Sequence, residues 1–572
     1  MAMQEVNRFR GPDASQVFEE KQINWQIGLG VNRLQVIDKD AGSNQPMISG
    51  CGNFILVYNG EVYNYRELKN QLIGKGHEFK TNSDTEVVLL WLKEYGTGGI
   101  SSFKGMFALV FIDLTAKRLI VARDRQGIKP LFYYKSANTL IISSSVQAIE
   151  ATQLVKLKIN NKAIGDYLSY RHVMDSNTFY QEVYAQEPGI ISVYAADLSV
   201  TESILELPYN EDDKDLKTIL TETASLFMEA ETAPGLMLSG GVDSTLLLAI
   251  LRNELDVGIN TYTLASGNDQ KWAKMASAQY NSRHLEIQVT IDSLQQVDSF
   301  LKQTDQPIGD HGAFATWLVA EAASKNSNTL LSGAGADELF AGYNRHRAYN
   351  YYLKNQSQAL LFKKLSQTLG FINSMPKTAN QFLRGIEVNP ILTYQNFLQN
   401  HGIKKSISSD NLWPAPKSLR DNMAEALKFD QSQYLVADVL AITDNSTMQH
   451  GIEARVPYLY DDVLSYANSI SVQDKCKMKG KGPLKKILID YGGLKYTRRT
   501  KQGFGLPMAA WLQDKQSFWL WEFLSNDSPI FEYVQQVEIN KLLRLHQEGK
   551  KDNSMQLWSI LVLENWLTRF YK

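Results

Sequence analysis

The stretch Ser239-Gly240-Gly241-Val242-Asp243-Ser244-Thr245 constrains this chain more than any other. A short apolar run at 234–238 stops at the glycines as a buried parallel strand does, and the apolar run at 246–251 continues as a helix. The stretch therefore reads as strand end, tight loop and helix start. Adjacent glycines let the backbone come close to a ligand, and the N–H groups at a helix N-terminus suit a phosphate or pyrophosphate. Leu238, Ser239, Gly240, Gly241, Ser244 and Thr245 are the expected cradle, and Asp243 offers a hard oxygen to magnesium. No lysine follows the glycines, which separates this loop from the phosphate loop ending Gly-Lys-Ser/Thr and from its γ-phosphate chemistry.

Strand and helix patterns alternate beyond the loop: 260–264 then 271–280, 285–289 then 293–304, and 317–324 before 329–331. Alternation of this kind predicts a doubly wound parallel sheet that binds ligands at the carboxyl ends of its strands. Ser332-Gly333-Ala334-Gly335-Ala336-Asp337 is a second glycine-rich turn at such an end. Ser332 and Gly333 join the expected cradle, and Asp337 brings a second carboxylate to the edge that carries Asp243. Two such aspartates can hold magnesium on pyrophosphate. Alone, Asp337-Glu338 would read as a charge pair at a helix N-terminus.

The first part of the chain has a different pattern. Short β-rich runs at 27–31, 53–58, 107–113, 119–122, 131–134 and 140–144 surround helical periodicity at 64–73 and 83–95, which predicts sheets covered by helices. The acidic run Glu211-Asp212-Asp213 marks the expected join, giving domains 1–207 and 208–572. A chain of 572 residues is too long for one core and accommodates both. With 59 basic and 61 acidic residues, the balance calls for neither nucleic acid nor an anionic membrane. Two cysteines, Cys51 and Cys476, cannot build a disulfide framework or a four-cysteine metal site, which points to a reducing cytoplasm. No apolar run approaches about 20 residues, and the start lacks a basic, apolar leader.

Longer motifs carry a resemblance. The 239–245 run is similar to the loop of ATP-pyrophosphatases, which cut ATP between the α and β phosphates. Arg10-Gly11-Pro12-Asp13, Tyr58-Asn59-Gly60-Glu61, Ser83-Asp84-Thr85-Glu86 and Arg123-Asp124-Arg125-Gln126-Gly127-Ile128-Lys129-Pro130 resemble, in order and spacing, the glutaminase domain of class B asparagine synthetases. The second turn, read on to Tyr343, and Glu453-Ala454-Arg455-Val456-Pro457 match the synthetase half of that family. The resemblance implies an α/β protein with a four-layer αββα domain of the N-terminal-nucleophile type ahead of a doubly wound ATP-pyrophosphatase domain. It implies that Arg33 holds the carboxylate of glutamine, that Asn59 and Gly60 form an oxyanion hole, and that Glu61 and Asp84 bind the amino group. It places Lys485, in a Lys-x-x-Leu pattern, and Lys501, two residues after Arg499, at the phosphates of ATP. Lys501 would stabilise charge on the α phosphate, and Glu453 would orient the acyl-adenylate and accept the nucleophile's proton.

This sequence departs from the family at the front. Family members begin Met-Cys-Gly-Ile, with that cysteine as nucleophile, whereas here no cysteine precedes the motif at Arg10. Cys51 lies on a turn with no free amine and reads as structural. The first strand and nucleophile are thus expected to be missing, through loss or a late start. Thr447 stands where the family has serine, and Tyr460 where it has aspartate, with Asp461 one place later. The implied activity is adenylation of a carboxylate, aspartate or a related acid, by Mg-ATP. Attack by nitrogen then gives an amide with AMP and pyrophosphate as products. The nitrogen would come from ammonia, an amine or a separate glutaminase. β-Lactam or lasso-peptide closure, sugar-acid amidation and a nucleotide-binding pseudoenzyme subunit are the other readings, and a homodimer is compatible with all of them.

Overall fold

The computed structural model describes residues 1–21, 25–207, 214–370, 374–400, 403, 422–499, 505–525 and 527–571. The expected join at 208–213, and Lys501, lie outside these residues.

The front domain contains β1 (Ala14–Lys21), β2 (Gln26–Arg33), β3 (Met47–Ile48), β4 (Phe54–Val62), β5 (Gly105–Asp113), β6 (Arg118–Arg123), β7 (Phe132–Lys135), β8 (Leu140–Ser143), β9 (Val183–Ala185), β10 (Ile190–Ala195) and β11 (Val200–Ile204). An antiparallel sheet of order β11-β10-β6-β5-β4-β3 forms its centre. The period-2 geometry of β5 explains the layers on either side. Phe107, Leu109 and Phe111 pack with Leu68, Leu72, Val88 and Leu92 of the helices Tyr65–Gly74 and Asp84–Tyr95. Ala108, Val110 and Ile112 face the other way, onto Phe18, Leu29, Leu140 and Ile142 of the pair β1-β2 and the sheet β8-β7-β9. Helices Ala2–Val6, Val146–Ala151 and Asn161–Tyr170 close the outer side, which completes αββα. Both faces of β5 are buried, so its sequence is a continuous apolar run.

The second domain carries β12 (Gly235–Met237), β13 (Asn260–Leu264), β14 (Arg283–Ile287), β15 (Thr329–Leu331) and β16 (Glu453–Arg455), all parallel, in the order β14-β13-β12-β15-β16. The chain builds outward from β12 on one side and resumes at β15 on the other. The crevice between β12 and β15 is therefore the topological switch point, where such sheets bind ligands. Helix Val242–Asn253 packs on one face and Gly312–Ala323 on the other. β16 is a fifth strand that the sequence pattern did not separate, because three residues are too few to show an alternation. A helical region follows β15 from Asn344 and includes a π-helix, Asp430–Leu440. Among the described residues no helix is long and apolar enough to cross a membrane.

The domains share buried surface. Tyr63 stacks on Phe227 with ring centroids 4.0 Å apart, and Tyr460 meets Phe227 edge-on at 5.9 Å. Asp461 accepts from Arg125 at 2.9 Å, so the carboxylate displaced by one place serves the interface. Phe227→Ala, which removes the ring between these two tyrosines, is expected to cost about 3–5 kcal/mol. Calorimetry checks this: the variant should melt lower than the wild type, and an unchanged profile would show that the stack does not hold the domains together.

Candidate active site

The two glycine-rich turns meet at the switch point. Gly240 has φ +66°, and a Cβ there would run into the backbone of Trp272 and Ala273. Gly241 begins helix Val242–Asn253 and its carbonyl accepts from Thr245 N at 3.1 Å. Ser244 Oγ accepts from Ser239 N and lies 3.2 Å from Ser239 Oγ, which closes the loop on itself. Leu238 is fully buried and its N–H donates to Tyr262 O at 2.9 Å. Arg499 donates to Ser239 O at 2.7 Å and pairs with Asp269, pinning the loop from outside. On the second turn, Ser332 N donates to Arg455 O at 2.8 Å. A Cβ on Gly333 would lie 3.0 Å from Asp243 Cβ, so the turns touch. The expected cradle residues are thus brought together.

A lysine lies between the two aspartates. Lys481 Nζ donates to Asp243 Oδ2 at 2.5 Å and lies 2.7 Å from Asp337 Oδ1. It is delivered by a left-handed run, with φ of +54° at Met478, +64° at Lys479, +92° at Gly480 and +58° at Lys481. Each non-glycine residue in that region costs about 1–2 kcal/mol, a strain that folds tolerate at functional sites. Lys485 does not face the carboxylates: its Nζ donates to Met478 O at 2.7 Å and holds the strained run in place. Burial and the neighbouring Lys481 charge push Lys485 down to about 8. The pattern Lys-x-x-Leu fits Lys481 to Leu484 as well as Lys485 to Leu488, so the sequence held the signal for Lys481.

The donor set suits magnesium. Asp243 Oδ1 is buried without a hydrogen-bond partner, and Asp243 and Asp337 supply hard oxygens from two facing loops. No group of three or more His, Cys, Asp or Glu side chains among the described residues forms a closed metal site. A cation held here would therefore take its other ligands from phosphate and water.

Glu453 is elsewhere. It pairs with Thr329 at the start of β15, whereas the second turn follows the strand's far end. Its Oε2 accepts from Lys129 Nζ at 3.2 Å and its Oε1 from Arg455 Nε at 3.1 Å. Arg455 also reaches Glu61 Oε2 at 2.5 Å and the carbonyls of Phe227 and Glu229 at 2.8 and 2.7 Å. Burial by itself would raise Glu453, but Lys129 and Arg455 outweigh it and hold the carboxyl below its usual range. Burial lifts Glu61 well above that range despite Arg455.

Glu453, Lys129 and Glu61 line a cavity of about 1340 Å³ together with Arg33, Asn59, Gly60 and Asp84. The glutamine-pocket residues are thus gathered, but most are already engaged. Arg33 donates to Asp38 O at 2.5 Å and Asn44 Oδ1 at 2.9 Å, and Asp84 accepts from Tyr58 Oη at 2.9 Å and Val62 N at 3.2 Å. Asn59 Nδ2 is buried without a partner. Gly60, at φ +142°, packs so tightly on Met106 O that no Cβ fits. Cys51 is exposed on the turn before β4, at the opposite end of that strand from Asn59.

Comparison with known proteins adds the following. Residues 215–568 match the family described as asparagine synthase, and residues 1–203 match the glutamine amidotransferase domain. The chain is 26% identical to asparagine synthetase (glutamine-hydrolyzing) 1 of Bacillus subtilis (strain 168), over 97% of this chain and 91% of that protein. It is 28% identical to a putative asparagine synthetase (glutamine-hydrolyzing) of Mycobacterium bovis, over 98% and 92%. It is also 26% identical to amidase chry2 of Gibberella zeae, over 82% and 78%.

Gly342 tests the lysine contact, since a Cβ there would overlap both Asp337 Oδ1 and the Lys481 side chain. Gly342→Ala is expected to abolish nucleotide-dependent activity while leaving the circular dichroism spectrum unchanged. Wild-type activity in that variant would show that the Lys481–Asp337 contact is dispensable.

Proposed function

The chain belongs to the asparagine synthase family and carries a glutamine amidotransferase domain in front, which makes it a carbon–nitrogen ligase; from that premise we propose how its residues carry out an ATP-dependent amidation. A carboxylate oxygen attacks the α phosphorus of ATP, the bond to the bridging oxygen breaks, and pyrophosphate leaves. A nitrogen nucleophile then attacks the acyl carbon and loses a proton as AMP departs. The observation that carries this reading is the meeting of Asp243 and Asp337 across the switch point with Lys481 between them. Aspartate, the acid implied by the relatives' names, is the first candidate substrate.

Each step assigns work to particular groups. The N–H groups of Gly240 and Gly241 and the hydroxyls of Ser239, Ser244, Thr245 and Ser332 bind phosphate oxygens. Asp243 and Asp337 would hold magnesium, which supplies charge neutralisation on the leaving pyrophosphate. Lys481 neutralises further charge on the phosphates, and Lys501, close in sequence to the anchor Arg499, is proposed to act beside it. Glu453 is held charged by two cations and is a weak base, so its role is to position Arg455 and Lys129 where the domains meet. The nitrogen is proposed to arrive as ammonia or an amine, from solution or a separate glutaminase, because Cys51 is exposed far from Asn59 and Cys476 packs in the helical region.

Pyrophosphate release should disappear in Asp243→Asn and in Asp337→Asn with the fold intact; turnover at the wild-type rate in either removes that residue from the site. Lys481→Ala should slow the same step by about 10²–10³, and Lys485→Ala by much less. Equal losses in the two lysine variants would mean that the strained loop, not the Lys481 charge, matters. With ammonium as donor the 572-residue chain should form the amide, whereas glutamine alone should yield no glutamate. Glutamate release by the purified chain would refute the nitrogen assignment.

A further inference from the structure

The layer that covers the central sheet of the front domain is in two pieces. Among the described residues these are β1-β2 and β8-β7-β9, and neither β2 nor β8 has a strand on its second side. Both pieces lie on the same face of the central sheet: Leu29 of β2 and Leu140 and Ile142 of β8 pack in one cluster with Ala108, Val110 and Ile112 of β5. All eight residues of β2 and all four of β8 line the cavity of about 1340 Å³, together with those three residues of β5. The two strand edges therefore border one cleft, with the central sheet as its floor. A free edge is a row of N–H and C=O groups that templates pairing with another strand.

A helix roofs this cleft. Ala2–Val6 is tied to β2, with Gln4 Nε2 donating to Val31 O at 3.2 Å and Asn32 Nδ2 donating to Gln4 O at 2.6 Å, and it packs on helix Val146–Ala151, which follows β8. The backbone bonds of a helix are made within it, so this one covers the cleft without pairing with either edge. Charge is confined to the ends. Arg118 pairs with Asp113 at 3.3 Å at one end of β5, and Lys129 pairs with Glu453 at 3.2 Å towards the other, whereas the floor between them is apolar.

We propose that the cleft is an acceptor site for one β-strand of a separate polypeptide, which pairs with β2 on one side and β8 on the other. A strand spaced about 4.8 Å from each neighbour joins the two pieces into a single sheet, and the main-chain hydrogen bonds on both edges supply the affinity. Successive side chains of a strand point to opposite faces. Every second residue of the donor therefore lies on Ala108, Val110 and Ile112 and is apolar, while the residues between them meet Met3 and Gln4 of the roof and tolerate polar groups. The site is independent of the activation chemistry proposed above.

The probe is the synthetic peptide acetyl-Lys-Thr-Val-Thr-Val-Thr-Val-amide, and the readout is amide hydrogen exchange of the full chain without nucleotide. In the free chain, alternate amides of 26–33 and 140–143 are expected to exchange at least about tenfold faster than those of β5, and to slow by about tenfold at saturating peptide. The same peptide N-methylated at its valines keeps the apolar side chains but loses those donors, and should protect neither edge. Ile142→Glu, which sets a charge in the apolar wall, should abolish protection by the unmodified peptide with the circular dichroism spectrum unchanged. No protection, protection of one edge only, or equal protection by the methylated peptide would overturn the proposal. Protection in the free chain that rises with protein concentration would give the cleft to a second copy of this chain and overturn the separate partner.

Discussion

The guanidinium of Arg455 has no exposure to solvent, and the arrangement of both domains follows from how its charge is met. A buried ion is tolerated only when paired and hydrogen-bonded, because its desolvation costs several kcal/mol. Here the partners come from three places: Glu61 on β4 of the front domain, Glu453 on the same short strand, and the carbonyls of Phe227 and Glu229 at the end of helix Leu216–Phe227. Shifting one domain against the other would break several of these bonds together. The Arg455 carbonyl also accepts from Ser332 N. The residue that fixes the interface thereby fixes the start of the second glycine-rich turn.

From that turn the geometry of the site follows by contact. Gly333 has no side chain, so Asp243 can approach, and Gly342 leaves room for Asp337 and Lys481. The left-handed run at 478–481 is costly in isolation and is held by two bonds, Lys481 N to Phe340 O and Lys485 Nζ to Met478 O. Lys481 and Lys485 thus have different work although four residues apart: one meets the carboxylates, the other secures the loop that presents it. Strain maintained in this way holds the Lys481 ammonium against both carboxylates.

The cavity of the front domain likewise has its charges met from within. Its carboxylates are occupied internally, Glu61 by Arg455 and Asp84 by Tyr58 and Val62 N, while Asn59 keeps an unmatched donor. Glu61 is common to the cavity and the interface.

Local interactions explain what could be read from the sequence alone. Seven consecutive residues at 239–245 encode a strand end, a left-handed glycine and a helix start, and each is set by its own backbone preferences. The continuous apolar run of β5 and the Ser83 cap on helix Asp84–Tyr95 are likewise local, and they announce a sheet under helices. The sequence determined by itself that two such domains exist and that Asp243 and Asp337 end strands of one sheet. Tertiary structure alone decided the rest. Lys481 and Lys485 satisfy the same short pattern, and only the path of a strained loop chooses between them. Glu453 belongs to a three-residue strand that pairs with β15, 124 residues earlier (453 − 329), and its charge partner Lys129 is farther still, so no local signal tells the interface from the glycine-rich turns. The partners of a buried charge are chosen by the folded chain as a whole, because desolvation makes each of them answer to groups that sequence distance does not reveal.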